Sequence, residues 1–127
     1  MKPEGWPTPK GYAHAIEGRG RLVFVSGQVG WTPDERWETD DFVGQLRQTL
    51  KNTVAILAAA GAEPRHIVRM TWYVVDKREY LSCRSGVGAC WREIIGPHFP
   101  ALALVEVAGL VEDRARLEIE TTALVSD

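Results

Sequence analysis

The clearest periodic pattern in the chain is an apolar stripe between residues 42 and 60. Its members recur at steps of three and four, which is the spacing of one helix face. They are Val43, Leu46, Leu50, Val54 and Leu57. Asp40 is a suitable N-cap before the stripe, and Gly61 is a suitable stop after it. This stretch therefore predicts a helix that buries one side.

A second helical pattern follows Asp76, which with Glu79 resembles a capping box, and ends at Gly96. Cys83 and Cys90 both fall inside this predicted helix. At ~1.5 Å rise per residue they would lie about 10 Å apart, too far for an intrachain disulfide. We therefore expect two packing thiols rather than a bridge or a zinc site.

Five further segments favour β-strands, namely 12–17, 22–27, 67–75, 101–107 and 116–125. The first two are joined by Gly-Arg-Gly at 18–20 and predict a hairpin. The resulting order is β-β-α-β-α-β-β in a single domain, residues 1–127. This order is typical of an α+β sandwich in which two helices cover one face of a mixed sheet.

The predicted helices are too few to cover both faces of the predicted sheet. Two helices can cover only one face, yet segments 22–25 and 67–75 are apolar on both sides. An exposed apolar sheet face of that size is rare in soluble monomers. We therefore expect a homo-oligomer with packed sheet faces and with ligand clefts between its subunits.

Composition and charge limit the classes of partner that this protein is expected to bind. The 127 residues contain 15 Lys and Arg against 17 Asp and Glu, so the net charge is −2. This acidic balance disfavours nucleic acid as a partner. No apolar run approaches the ~20 residues of a membrane span, and the first seven residues lack the apolar stretch of a secretory signal, so we expect a cytoplasmic protein. The three histidines have no ligand spacing, and we expect no metal site.

Six segments carry a family resemblance when they are taken in order. They are 11–12, 22–28, 45–61, 67–76, 99–101 with 105–107, and 117–120. Residues 22–28, LVFVSGQ, match a family strand that ends in VSGQ, and 45–61 match a helix of pattern Q…L.N..AIL.AAGA. The chain resembles the Rid family, also called YjgF or L-PSP, small proteins related to the enamine/imine deaminase RidA.

The resemblance implies a homotrimer with three clefts between subunits. It also implies hydrolysis of reactive imines and enamines, such as 2-iminopropanoate, to ketoacids and ammonia, without a metal or organic cofactor. That chemistry needs a cation for the substrate carboxylate and a polar group that holds the attacking water. In the family the cation is the arginine of a Pro-Ala-Arg-Ser motif.

This sequence departs from the family at that arginine. Residues 100–103 read Pro-Ala-Leu-Ala, which places Leu102 at the arginine position. Leu104 stands at a neighbouring family cysteine, and Gly88 at a common asparagine of the second helix. Without the cation, turnover of a 2-imino acid should fall by about two to four powers of ten.

The remaining candidate site residues follow from the same alignment. Glu118 matches the acidic residue that orients water, with Glu120 as the weaker alternative. Glu118 could instead be a solvated carboxylate. The candidate replacements for the missing cation are Arg65, Arg69, Arg92, Arg114 and Arg116. Arg114 or Arg116 is favoured because both lie near the strand that carries Glu118. The predicted substrate-binding residues are Tyr12, Ser26, Gly27, Trp31, Leu102 and Leu104.

Simpler structural roles remain open for three of these residues. Tyr12 could close the hairpin, Gly27 could end a strand, and Trp31 could cover a sheet edge. The favoured function is hydrolysis of a small imine or enamine that lacks an α-carboxylate. A non-catalytic ligand-binding or regulatory trimer is the alternative, and an endoribonuclease or translation inhibitor fits the acidic charge less well.

Overall fold

Residues 1–126 are described by a computed structural model, as one mixed four-stranded sheet with its main helices on one face. The elements in chain order are β1 (Gly20–Val29), α1 (Phe42–Ala59), a 3-10 turn (Pro64–His66), β2 (Ile67–Val74), α2 (Lys77–Ser82), α3 (Arg84–Ile94), β3 (Ala101–Glu106) and β4 (Leu117–Ser126). The strands are ordered β1-β4-β2-β3, and only the β2–β3 pair is parallel. The predicted α+β class is confirmed.

The predicted first strand, 12–17, is wrong. The segment instead crosses to the β3 edge, where Ala13 forms a single bridge with Ala101 and donates its backbone N–H to Pro100 O at 2.9 Å. Every other side chain of the segment is exposed. The alternation therefore does not mark a half-buried surface, which is what a strand pattern reflects.

The second predicted helix is divided into two at Cys83. This residue has a φ of −133°, outside the helical range, and its N–H donates to Tyr80 O in a tightened last turn. Asp76 caps α2 as predicted, by accepting from the Arg78 N–H. Cys83 and Cys90 are both unbridged, and burial raises the pKa of each thiol, the reverse of an activated nucleophile.

Helix α1 contributes one face to the core. Its Leu46, Leu50 and Leu57 are fully buried. Its N-cap is Asp41 rather than the predicted Asp40, because the Asp41 carboxylate accepts from the Gly44 N–H while Asp40 pairs with an arginine. Gly61 follows the helix at φ +74°, a conformation that glycine adopts without strain, as the sequence predicts.

The side of the sheet without helices is called here the open face. On β2 it carries Arg69, Thr71 and Tyr73, because the apolar residues of that strand alternate toward the helices. The prediction that β2 is apolar on both sides is therefore wrong. On β1 the prediction holds, since Leu22 and Phe24 are 55% and 74% exposed there. Within residues 1–126, no helix is both long and apolar enough to cross a membrane.

Candidate functional site

A pocket of about 640 Å³ lies between β3 and the α2–α3 pair, on the helix side of the sheet. We call it the aromatic pocket. It is lined by Lys10, Gly11, Tyr12, Trp72, Tyr80, Arg84, Val87, Gly88, Trp91, Arg92, Phe99, Leu102 and Leu104. The volume is in the range of small-molecule sites, which are mostly apolar with a few polar groups.

Flat aromatic side chains form one wall of this pocket. The Trp91 and Phe99 rings stack nearly parallel, 10° apart, with centroids at 6.3 Å, and Trp72 lies 6.1 Å from Trp91. The Trp91 indole N–H donates to His98 O at 3.0 Å, which fixes the orientation of that ring. The indole N–H of Trp72 is buried and has no acceptor among the described residues. The wall thus presents aromatic faces around Trp91, whose orientation is fixed, with the Trp72 ring tilted by 38° to it.

The floor of the pocket is hydrocarbon. Leu102 and Leu104 lie on β3 beside Met70 and Trp72 of β2, and both point to the helix side. Tyr12 reaches the same pocket from the N-terminal segment. The structure therefore brings together three of the predicted substrate-binding residues, among them Leu102, the residue that the sequence aligns with the family arginine.

Positive charge enters this pocket from helix α3 and from Lys10 of the N-terminal segment, not from β4. Arg84 and Arg92 both line it, with the Arg84 guanidinium 5.9 Å from the centroid of the Tyr80 ring. The favoured replacements lie elsewhere: Arg114 binds Asp40 at 3.0 Å, and Arg116 lies 3.8 Å from Glu79. Sequence reasoning missed Arg84, although its spacing of four residues from Gly88 places the two on one helix face.

The other predicted residues lie on the open face. Glu118 alternates with the buried Leu117 and Ile119, and its carboxylate lies against the backbone of Gly27. A Cβ at Gly27 would stand 2.8 Å from Glu118 Cδ, so glycine permits this close approach. Ser26 adjoins Gly27 at a β-bulge of β1 and lines a second pocket of about 320 Å³.

Glu120, the weaker candidate, is engaged by a neighbour. It accepts from the Tyr73 hydroxyl at 2.7 Å, and this hydrogen bond raises the pKa of Tyr73. Trp31 lines neither pocket and packs on Trp37 with centroids 5.7 Å apart, so the covering role open to it in the sequence fits better. Among residues 1–126, no three His, Cys, Asp or Glu side chains are grouped to hold a metal ion.

The candidate residues therefore form two separate groups in one chain. Tyr12, Leu102 and Leu104 lie on the helix side at the β3 edge, whereas Gly27 and Glu118 lie on the open face near β1. Strands β4 and β3 are two positions apart in the sheet, or about 10 Å at ~4.8 Å per strand. The sheet thus prevents Glu118 from reaching the pocket of its own chain.

Comparison with known proteins gives consistent matches along the chain. The family model described as Endoribonuclease L-PSP matches residues 6–125. A RutC family protein of Haemophilus influenzae is 36% identical over 89% of this chain and 85% of its own length. The 2-iminobutanoate/2-iminopropanoate deaminase of Salmonella typhimurium is 35% identical over 83% of this chain and 80% of its own length.

A solved structure agrees with these sequence matches. The Rid-family protein YyfB of Yersinia pestis, described as of unknown function, superposes with a TM-score of 0.83 at 30% identity, covering 98% of this chain and 96% of its own. Several relatives matched by sequence carry a deaminase activity in their names, whereas two similar solved structures, from Thermotoga maritima and Entamoeba histolytica, carry the name putative endoribonuclease. The chain belongs to the YjgF/RidA/L-PSP family.

Proposed function

We propose that this protein hydrolyses a small imine or enamine that lacks an α-carboxylate, in a cleft that two protomers of a homotrimer share. One protomer contributes the aromatic pocket, and its neighbour contributes Ser26, Gly27 and Glu118. The observation that carries the proposal is the position of Glu118 on the opposite side of the sheet from Leu102.

The open face supports assembly through the sheet. Leu22 and Phe24 are exposed on β1, and Val105 of β3 is 42% exposed at the far side of the same sheet. Exposed apolar groups of this size favour burial against another protein surface. In the proposed assembly a second copy packs against this open face. The Glu118 of one copy then lies close to the β3 edge of the other, which completes the site.

The chemistry follows from a carboxylate beside an apolar pocket. Glu118 accepts a proton from water as the water oxygen attacks the C=N carbon, and the imine nitrogen takes up a proton. The carbinolamine then breaks its C–N bond, releasing ammonia and leaving a carbonyl. The balance is R₂C=NH + H₂O → R₂C=O + NH₃, so no redox partner is needed.

Leu102 sets the substrate class. A guanidinium–carboxylate pair contributes ~1.5–3 kcal/mol when desolvated, and leucine offers no such pair. A 2-imino acid bound in the family manner would place its carboxylate against hydrocarbon, at a cost of several kcal/mol. A substrate without that carboxylate avoids this cost.

Glu118→Gln is expected to lower kcat for a carboxylate-free aldimine about a hundredfold, because the amide cannot take the proton from water. The aldimine is generated in situ from butylamine by a flavin amine oxidase, and its hydrolysis is followed as ammonia release. Glu120→Gln is the matched control, two residues along the same strand face, and should retain full rate. The proposal would be contradicted if Glu118→Gln and wild type hydrolysed the aldimine at equal rates. It would also be contradicted if the wild-type rate did not exceed the uncatalysed rate in solution. Either result would favour a non-catalytic binder.

Native mass spectrometry is expected to show a trimer. Phe24→Asp should shift the protein to monomer, because trimer assembly would bury the aspartate charge in the proposed interface. Val111→Asp is the control, since Val111 is 94% exposed in the loop between β3 and β4. A dominant wild-type monomer at micromolar concentration would be inconsistent with a shared cleft.

A further inference from the structure

Three residues of helix α3 form a ridge along the aromatic pocket. Arg84, Gly88 and Arg92 are spaced by four and all line the pocket. At ~1.5 Å per residue the two arginine backbones lie about 12 Å apart, at opposite ends of the ridge. Gly88, between them, leaves an opening where the family alignment has a side-chain amide.

The Arg92 guanidinium occupies that opening. A Cβ placed on Gly88 would lie 3.3 Å from Arg92 Nη1, so the side chain folds back along its own helix over the glycine. Alanine at 88 would force the guanidinium to move by a few tenths of an ångström, so glycine leaves this placement unobstructed.

Arg92 has no carboxylate partner among residues 1–126. Its neighbour Glu93 pairs with Arg47 of α1, and Glu79 lies nearest to Arg116. Arg84 is held differently, over the Tyr80 ring. A guanidinium that lines an apolar pocket without a protein anion has all its donors available, and their planar fork matches a carboxylate.

We propose that the aromatic pocket takes a flat aromatic acid, with its carboxylate on Arg92 over Gly88 and its ring against Trp91 and Phe99. This rests on the proposed function only for the reacting end, where the C=N bond would lie away from the carboxylate and toward the neighbouring Glu118. The cation that the family places on the strand floor is thus supplied from the helix wall.

Three features of the pocket select this ligand class. The stacked Trp91 and Phe99 rings favour a planar apolar body, since offset aromatic contacts add ~0.5–1.5 kcal/mol beyond buried area. Of the cations that line the pocket, Arg92 is the one whose guanidinium lies over the opening at Gly88, where it can meet one carboxylate. Leu102 and Leu104 leave the floor without a polar group, so the charge has to stand at the helix side.

Calorimetry on the full chain, with three probes, tests the proposal. The probes are 3-phenylpropanoate, its neutral amide 3-phenylpropanamide, and ring-free propanoate. We expect the aromatic acid to bind at least tenfold more tightly than the amide, and propanoate to bind more weakly than either. Equal affinity for acid and amide would overturn the proposal, and so would equal affinity for 3-phenylpropanoate and propanoate.

Arg92→Gln is expected to reduce the acid-to-amide ratio to about one while leaving the amide affinity unchanged. Arg65→Gln is the matched control, because Arg65 is exposed in the 3-10 turn and pairs with Glu63. Gly88→Ala should lower the ratio without changing the folded state, as checked by circular dichroism. If Arg92→Gln does not fold, Arg92→Lys provides the test, because lysine keeps the charge and loses the planar donor fork of the guanidinium. An unchanged acid-to-amide affinity ratio in Arg92→Lys overturns the proposal.

These measurements are independent of the Glu118 assay. Selective binding of the aromatic acid without hydrolysis of any imine would support this inference and contradict the proposed function. Hydrolysis of butyl aldimine without preference for the aromatic acid would do the reverse.

Discussion

Leu102→Arg is expected to raise kcat/KM for 2-iminopropanoate by about two to four powers of ten over a near-background wild-type rate. The added guanidinium restores the bidentate carboxylate contact of the Pro-Ala-Arg motif and removes the cost of placing that anion on hydrocarbon. Leu102 already points into the aromatic pocket beside Met70 and Trp72, so an arginine there starts from the correct face of β3. Turnover is measured with substrate made in situ by an amino-acid oxidase.

Leu104→Arg is the register control for this experiment. It adds the same charge to the same pocket floor two residues along β3, and we expect little gain from it. Calorimetry with pyruvate should show new affinity only in the Leu102→Arg protein. Wild-type turnover at the rate of the Salmonella typhimurium deaminase would show instead that another cation already performs this role.

Elements with a strong local signal could be predicted from the sequence. The apolar stripe of α1 predicts its buried side because the 3.6-residue period is a property of the helix itself. Alternation in β4 likewise predicts that Glu118 faces away from Leu117 and Ile119, and the burial pattern agrees. Segment 12–17 has the same alternation but no surface to pack on, so its pattern is misleading.

The division of the site across the sheet could not be predicted from the sequence. It depends on the strand order β1-β4-β2-β3, which places Glu118 and Leu102 on opposite faces, and no local pattern encodes that order. The choice among the candidate cations could not be made from the sequence either. Arg114 and Arg116 are near Glu118 in the chain but lie beside Asp40 and Glu79, whereas Arg92, also a candidate, lines the pocket.

Gln45 is a buried polar link that the family pattern contains but does not explain. It is fully buried on α1, and its amide donates to Thr39 O at 3.1 Å and to Arg114 O at 3.0 Å. Its carbonyl oxygen accepts from the Arg116 N–H at 2.8 Å. The side chain thus ties α1 to the segment that enters β4, two residues before Glu118. Its partners are up to 71 residues away in sequence, so no local pattern reveals them.

Gln45→Met is expected to lower the free energy of unfolding by about 3–5 kcal/mol. Methionine matches the length of glutamine but leaves three backbone groups without partners, each at a cost of ~1–3 kcal/mol that is only partly additive. Urea denaturation at one fixed protein concentration measures the change, since assembly makes stability concentration-dependent. Gln48→Met on the same helix is the control and should change stability by less than ~1 kcal/mol, because within residues 1–126 the Gln48 side chain bonds only to the Asn52 side chain. Equal losses in the two variants would mean that the link to Arg114 and Arg116 contributes little, and that other contacts hold β4 and its carboxylate in place.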